Sequence, residues 1–194
     1  MTDVDRFGEM RPGRPAGSRT LVIRPVLESD LDLLALLSTD PEEASQYGFF
    51  GYQDPGRQRR QFAENGFLSE HGGRLAVALV AGSEPGEFIG DVSWHRSPSG
   101  PTSYCWNIGI ALLARARGQG YGASAQRLLA EYLLGHTQVN RVEAETEVDN
   151  GPERRALEKA GFAFEGVRRG SCYRAGRWRD MALYSVVRAD LDLT

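Results

Sequence analysis

Three groups of residues in this sequence have types and spacings suited to chemistry. The first is Arg117-Gly118-Gln119-Gly120-Tyr121-Gly122, in which three glycines alternate with bulkier residues. Glycine has no Cβ, so the N–H groups of such a loop lie open. An apolar pattern at helical spacing begins behind it, through Tyr121, Ala125, Leu128, Leu129, Tyr132 and Leu133. The loop therefore sits at the positive end of a helix dipole and suits phosphate or pyrophosphate; a turn without a ligand is the other reading. The second group is Glu143, Glu145 and Glu147, which alternate with Val142, Ala144, Thr146 and Val148 and so share one face of a strand. Three carboxylates in line are not buried unpaired: the face either meets water or lines a cleft prepared for a cation. The third is Asn150 with Glu153, placed where a helix starts. Asn150 is a good N-cap and Glu153 is the reciprocal partner of a capping box, or an acid or base if its pKa is raised.

Two nucleotide motifs are set aside. Gly118, Gly120 and Ala123 satisfy a permissive G-x-G-x-x-A, but about six residues separate the strand ending at Ile110 from Arg117, and a dinucleotide loop should follow its strand directly. A P-loop would continue into Gly-Lys-Ser/Thr, and this one does not. What remains is Arg-x-x-Gly-x-Gly, carried by Arg117, Gly120 and Gly122.

The elements that hold these residues follow from the rest of the chain. Its 194 residues suit one domain spanning residues 20–191, behind a polar arm at 1–19 rich in Gly, Pro and Arg and unlike a secretory signal. With 41% hydrophobic and 25% charged residues the composition is that of a soluble domain, and no apolar run approaches the ~18 residues of a membrane span. Cys105 and Cys172 with three dispersed histidines give no metal-ligand spacing, and reduced thiols suit the cytoplasm. A net charge of −3 argues against a nucleic-acid partner.

Thr20 to Val26 reads as a strand, and Ser29 with Asp32 as a capping box before a helix ending near Thr39. Tyr47, Phe49, Phe50 and Tyr52 follow in a glycine-containing loop that either plugs the core or walls a cleft. Gly56 to Ser69 suits a second helix. Arg74–Ala81 and Glu87–His95 form a hairpin, and Ser103–Ile110 is the strand that feeds the glycine loop. After the long helix come the strand Arg141–Val148, the short helix behind Asn150, and two closing strands. The fold class is α+β: a mixed, mostly antiparallel central sheet with about four flanking helices and one parallel crossover.

Three motifs, in order, resemble the GNAT superfamily of acyl-CoA N-acyltransferases over residues Thr20 to Leu191. They are the Arg117–Gly122 loop; Val148-Asp149-Asn150 with Leu157-Glu158-Lys159-Ala160-Gly161-Phe162 and Glu165-Gly166; and the ending from Tyr173-Arg174-Ala175-Gly176-Arg177-Trp178 to Ser185. The last two are similar to the RimJ/RimL-like branch, which acetylates ribosomal-protein N-termini. The resemblance implies a sheet splayed at a cofactor site, with acetyl-CoA between the strands and no metal. The backbone of Ile110 and Leu112 would hold the pantetheine arm, N–H groups of Arg117, Gly118, Gln119, Gly120, Tyr121 and Gly122 the pyrophosphate, and Asn150 the arm near the next helix. The reaction implied is acetyl transfer to a primary amine, either a protein N-terminus or a small molecule, by direct attack in a ternary complex. Backbone N–H groups around Asn107 to Ile110 would hold the oxyanion. The expected partners are the amine and, for assembly, a second copy of the chain. Leu157 stands where many members carry a tyrosine acid and Glu153 where Rim-type relatives often carry serine, which leaves Glu153, Glu145 or else Glu147 acting through water, and Asn150 as the candidate catalytic residues. A non-catalytic acyl-CoA sensor of the same fold is the alternative.

Overall fold

The computed structural model describes residues 19–82 and 85–191. The expected arm, apart from Arg19, lies outside the described residues, as does the middle of the turn at Ser83 and Glu84. In chain order the elements are β1 (Thr20–Pro25), α1 (Leu31–Thr39), α2 (Pro41–Gly48), α3 (Arg57–Asn65), β2 (Leu68–Ser69), β3 (Gly72–Val80), β4 (Glu87–Pro98), β5 (Tyr104–Leu112), α4 (Tyr121–His136), β6 (Arg141–Glu147), α5 (Gly151–Lys159), β7 (Ala163–Arg174) and β8 (Arg177–Val187). The sheet runs β1-β3-β4-β5-β6-β8-β7, with β2 pairing β3.

Its one parallel pair is β5 with β6, and that pair is short: Trp106, Asn107 and Ile108 lie opposite Val142, Glu143 and Ala144. Beyond Ile108, β5 stays paired only with β4, and beyond Ala144, β6 stays paired only with β8. The two strands part, as the resemblance implies. On one sheet face α4 seals the larger core with Leu129, Leu133, Val142 and Tyr184, all at most 1% exposed. On the other, Leu31, Leu34 and Leu37 of α1 pack with Phe67, Ala76 and Phe88. Alternation along the strands supplies both faces.

The described residues form five α-helices where the sequence suggests about four. The addition is α2, in a stretch read as the approach to the aromatic loop. Its start follows ordinary rules: Asp40 accepts from the N–H groups of Glu42 (2.8 Å) and Glu43 (3.2 Å), with Pro41 in the first turn. The expected Ser29 capping box does not form. Instead Asp30 accepts from the Leu27 N–H at 2.8 Å and takes the Arg24 guanidinium at 2.7 and 3.1 Å. The second expected helix stops early because Gly66 takes the left-handed conformation (φ 60°), and Phe67 turns into the core at 2% exposure.

Candidate active site

The parting of β5 and β6 opens a cleft of about 1080 Å³, which also reaches α1, α2, α3 and the N-termini of α4 and α5. Ile110, Leu112, Arg117, Gly118, Gly120 and Gly122 line it, as do Glu145, Asn150 and Glu153. Gln119 and Tyr121 do not line it. Gln119 donates its amide to the Arg115 carbonyl at 2.7 Å, and Tyr121 packs against the larger core.

Gly118 and Gly120 hold φ of 75° and 84°, a region that favours glycine, and a Cβ at either position would meet no atom within 4 Å. Gly120 is the N-cap of the 16-residue α4, and no side chain caps that helix. Its first-turn N–H groups are therefore left to face an anion at the positive end of the dipole. Gly122 brings α4 close to both walls: a Cβ there would touch Ala156 of α5 and Leu112 and Ile110 of β5 at 3.9–4.0 Å.

Arg117 does not spend its charge on the cleft. Its guanidinium donates to the carbonyls of Leu112 (2.9 Å), Glu42 (3.0 Å) and Glu43, fastening the loop to β5 and α2. The Glu43 carboxylate returns the contact by accepting the Ala114 N–H at 2.7 Å. In the aromatic stretch, Tyr47 and Phe50 line the cleft, and Tyr47 donates its hydroxyl to the Asp149 carbonyl at 3.0 Å. Tyr52 is 84% exposed, so this stretch walls the cleft rather than plugging the core.

The row of glutamates meets neither water alone nor an open cation site. Glu143 takes Arg141 at 2.7 Å, Glu145 takes Arg168, and Glu147 takes Arg174 at 2.5 Å. The guanidiniums come from β6 itself and from β7, and they answer the burial of Glu147, which is 6% exposed.

Asn150 caps α5 as expected: Oδ1 accepts from the Glu153 N–H at 3.3 Å, and Nδ2 donates to Thr146 Oγ1 at 3.0 Å. The reciprocal half of the box is missing, because the Asn150 N–H donates to the Glu147 carbonyl at 2.9 Å. The Glu153 carboxyl is thereby released from capping. Burial pushes its pKa up to about 7, against a hydrogen bond from Gln126 that pulls the other way. Asn150→Ala is expected to destabilise the fold by about 1 kcal/mol through loss of the cap. Denaturant unfolding measures that value, and acetyl transfer lost beyond the fraction unfolded marks a contact with substrate. Leu157 is fully buried, so the place of the family's tyrosine holds core packing and no acid.

Sequence reading missed Arg74, Asp91 and Ser93, which also line the cleft. The available signal was Asp91 itself, an acid inside the apolar strand run Phe88-Ile89-Gly90-Asp91-Val92.

Residues 20–163 match the family described as acetyltransferase (GNAT) domain. Among curated proteins, the probable N-acetyltransferase YjcK of Bacillus subtilis (strain 168) is 26% identical over 176 residues, which cover 89% of this chain and 96% of that protein. Among solved structures, spermidine N-acetyltransferase from Vibrio cholerae in complex with CoA and spermine superposes with a TM-score of 0.74 at 16% identity, covering 88% and 96% of the two chains. Mycobacterium smegmatis RimJ in complex with CoA-disulfide gives 0.71 at 20% identity, with coverages of 90% and 85%. These likenesses accord with the fold, and the family match spans most of the sheet and both helices that flank the cleft. The chain belongs to the GNAT acetyltransferase family, and is an N-acetyltransferase by that membership.

Proposed function

We propose that this protein transfers the acetyl group of acetyl-CoA to a primary amine, by direct attack of the amine on the thioester within a ternary complex. The parting of β5 and β6 beside an uncapped, glycine-fronted α4 is the observation that carries the reading. The free edge of β5 at Ile110 and Leu112 accepts the amide-rich pantetheine arm as a pseudo-strand. N–H groups from Gly118 to Gly122 neutralise the pyrophosphate, the expected Arg117 N–H being given instead to the Ala114 carbonyl at 3.3 Å, and Asn150 steadies the arm where α5 begins.

An amine of pKa ~10 arrives protonated and must lose a proton before its lone pair attacks. Glu145 is paired with the Arg168 guanidinium, and it takes the proton through water. The oxyanion formed on attack lies near the backbone N–H groups between Asn107 and Ile110. As the C–S bond breaks, Glu153 in its protonated form gives a proton to the departing thiolate, the acylated nitrogen sheds its second proton to water, and solvent reprotonates Glu153; its elevated pKa keeps the protonated form populated near neutrality.

Likeness to both a spermidine N-acetyltransferase and RimJ keeps two acceptor classes in view, and the second and third motifs favour the RimJ/RimL-like branch and a protein N-terminus. Thiol release from acetyl-CoA, measured with peptides bearing free N-termini and with a panel of small amines, tests the proposal. Turnover with any of them supports it. Tight CoA binding with no turnover would instead mark a sensor, and no binding of CoA at all would overturn the cofactor site.

A further inference from the structure

We infer that Arg74, held by buried Asp91, is the residue that selects the acceptor: it hydrogen-bonds an oxygen carried close to the reacting amine, the pattern of an α-amino-acyl group. The inference rests on the acetyl-transfer reading of the same cleft and names what that reading leaves open.

Arg74 lies opposite Ser93 in the β3–β4 ladder, and Asp91 lies opposite Ala76, which makes Arg74 and Asp91 diagonal neighbours on the cleft face. Arg74 Nη1 meets Asp91 Oδ2 at 2.8 Å. The two side chains differ in access: Asp91 is 3% exposed and Arg74 is 30% exposed. The aspartate is thus the anchor and the guanidinium the reachable group. Two further contacts fix the arginine: its backbone N–H donates to the Phe67 carbonyl at 3.0 Å, and its guanidinium carbon lies 5.8 Å from the centre of the Phe67 ring. Among the described residues, Nε and Nη2 of Arg74 donate to no protein group. A fork held from behind with unused N–H groups in front is preorganised for a carbonyl or carboxylate oxygen.

A purely structural ion pair explains the site less well. Asp91 Oδ1 accepts no hydrogen bond among the described residues, and burial outweighs the Arg74 charge in raising the Asp91 pKa. A half-satisfied buried pair costs stability relative to apolar residues of the same size. Its place in the wall of the cleft, beside Ser93, fits a binding role.

Charge elsewhere in the cleft narrows the acceptor. Of the acids lining the cleft, Glu145, Glu147 and Asp91 each have a guanidinium partner, Glu43 accepts the Ala114 N–H, and burial favours the neutral form of Glu153. Compensated acids do not draw in a polycation, whereas an amine with a neighbouring oxygen needs only one N–H acceptor and one N–H donor. Alaninamide and an alanyl tripeptide share that chemistry; propylamine and putrescine lack the oxygen.

The test compares these four amines by kcat/KM for acetyl transfer and, independently of turnover, by titration calorimetry into CoA-loaded protein. Both oxygen-bearing acceptors should exceed propylamine and putrescine by about tenfold or more, the scale of one charge-assisted hydrogen bond. Arg74→Gln should reduce that preference to below about threefold, through KM rather than kcat, and Asp91→Asn should weaken it in the same direction. Because Arg74→Gln leaves Asp91 without a counter-ion, Arg74→Lys, which keeps the charge and loses the fork, serves as the second variant and should also narrow the preference. A tripeptide that outruns alaninamide assigns the oxygen to a peptide N-terminus, and equal values assign it to a small amino-acyl amine. Propylamine or putrescine equal to the oxygen-bearing acceptors in the wild type, or a preference intact in Arg74→Lys, overturns the inference. Absence of turnover with all four would overturn acetyl transfer while the calorimetric preference still decides the role of Arg74.

Discussion

Glu153→Gln lowers kcat for acetyl transfer by about a hundredfold, the lower end of what a positioned general acid supplies, while CoA affinity stays near the wild-type value. Glutamine keeps the volume of the side chain and removes the proton. The pH profile separates this role from a packing defect. In the wild type, kcat falls as pH rises through about 7, where Glu153 loses its proton. In the variant that limb disappears. The same group leaves a mark on stability, with a sign fixed by linkage. The folded chain holds the Glu153 proton to higher pH than the unfolded chain does, so between the ordinary value of 4.5 and about 7 the unfolded state binds fewer protons. Stability therefore declines with rising pH across that window, and Glu153→Gln flattens the decline. Thermal melts at closely spaced pH values check the sign. An unchanged kcat profile would remove Glu153 from the chemistry.

Gly120→Asp abolishes CoA binding, with an affinity loss of at least about a hundredfold, because it sets a carboxylate at the anion end of α4. A Cβ at this position meets nothing within 4 Å, so the substitution does not crowd the protein itself. The backbone does carry a strain, since φ is 84°. Gly120→Ala measures that strain alone, expected at about 1 kcal/mol of stability with CoA binding largely kept. Calorimetry with CoA on the two variants separates charge from conformation. Equal affinity in Gly120→Asp and the wild type would mean that the loop does not hold the pyrophosphate.

What was legible in the sequence was local. The glycine loop and α4 could be read because alternate glycines followed by a 3.6-residue apolar period are both short-range signals. The β3–β4 hairpin, the β6 alternation and the Asn150 cap belong to the same class. What was not legible depended on residues far apart in the chain. The partners of Glu145 and Glu147 lie 23 and 27 residues away on β7, and no pattern on β6 announces them. The Glu153 capping box fits its sequence signature, yet the Asn150 N–H is taken by the Glu147 carbonyl at the end of the preceding strand. The parting of β5 from β6 came only from the resemblance, since no residue near Ile108 or Ala144 dictates where pairing stops. Arg74 and Asp91 meet across two strands whose register shifts between Val77 and Ala78, and their pairing is visible only once that shift is known.

Beside the side-chain ties of Glu43 and Tyr47, two arginines grip the main chain of α2. Arg117 takes the carbonyls of Glu42 and Glu43 from one bank of the cleft, and Arg174 takes that of Gln46 from the other. Every amino acid supplies the same oxygen, so such clasps are indifferent to the identity of the residues they hold. Gln46 can therefore be exchanged for other side chains without releasing these clasps, whereas Tyr47 adds a tie of its own through its hydroxyl on the Asp149 carbonyl, and a lineage could reshape this wall of the cleft at position 46 while leaving the glycine loop undisturbed.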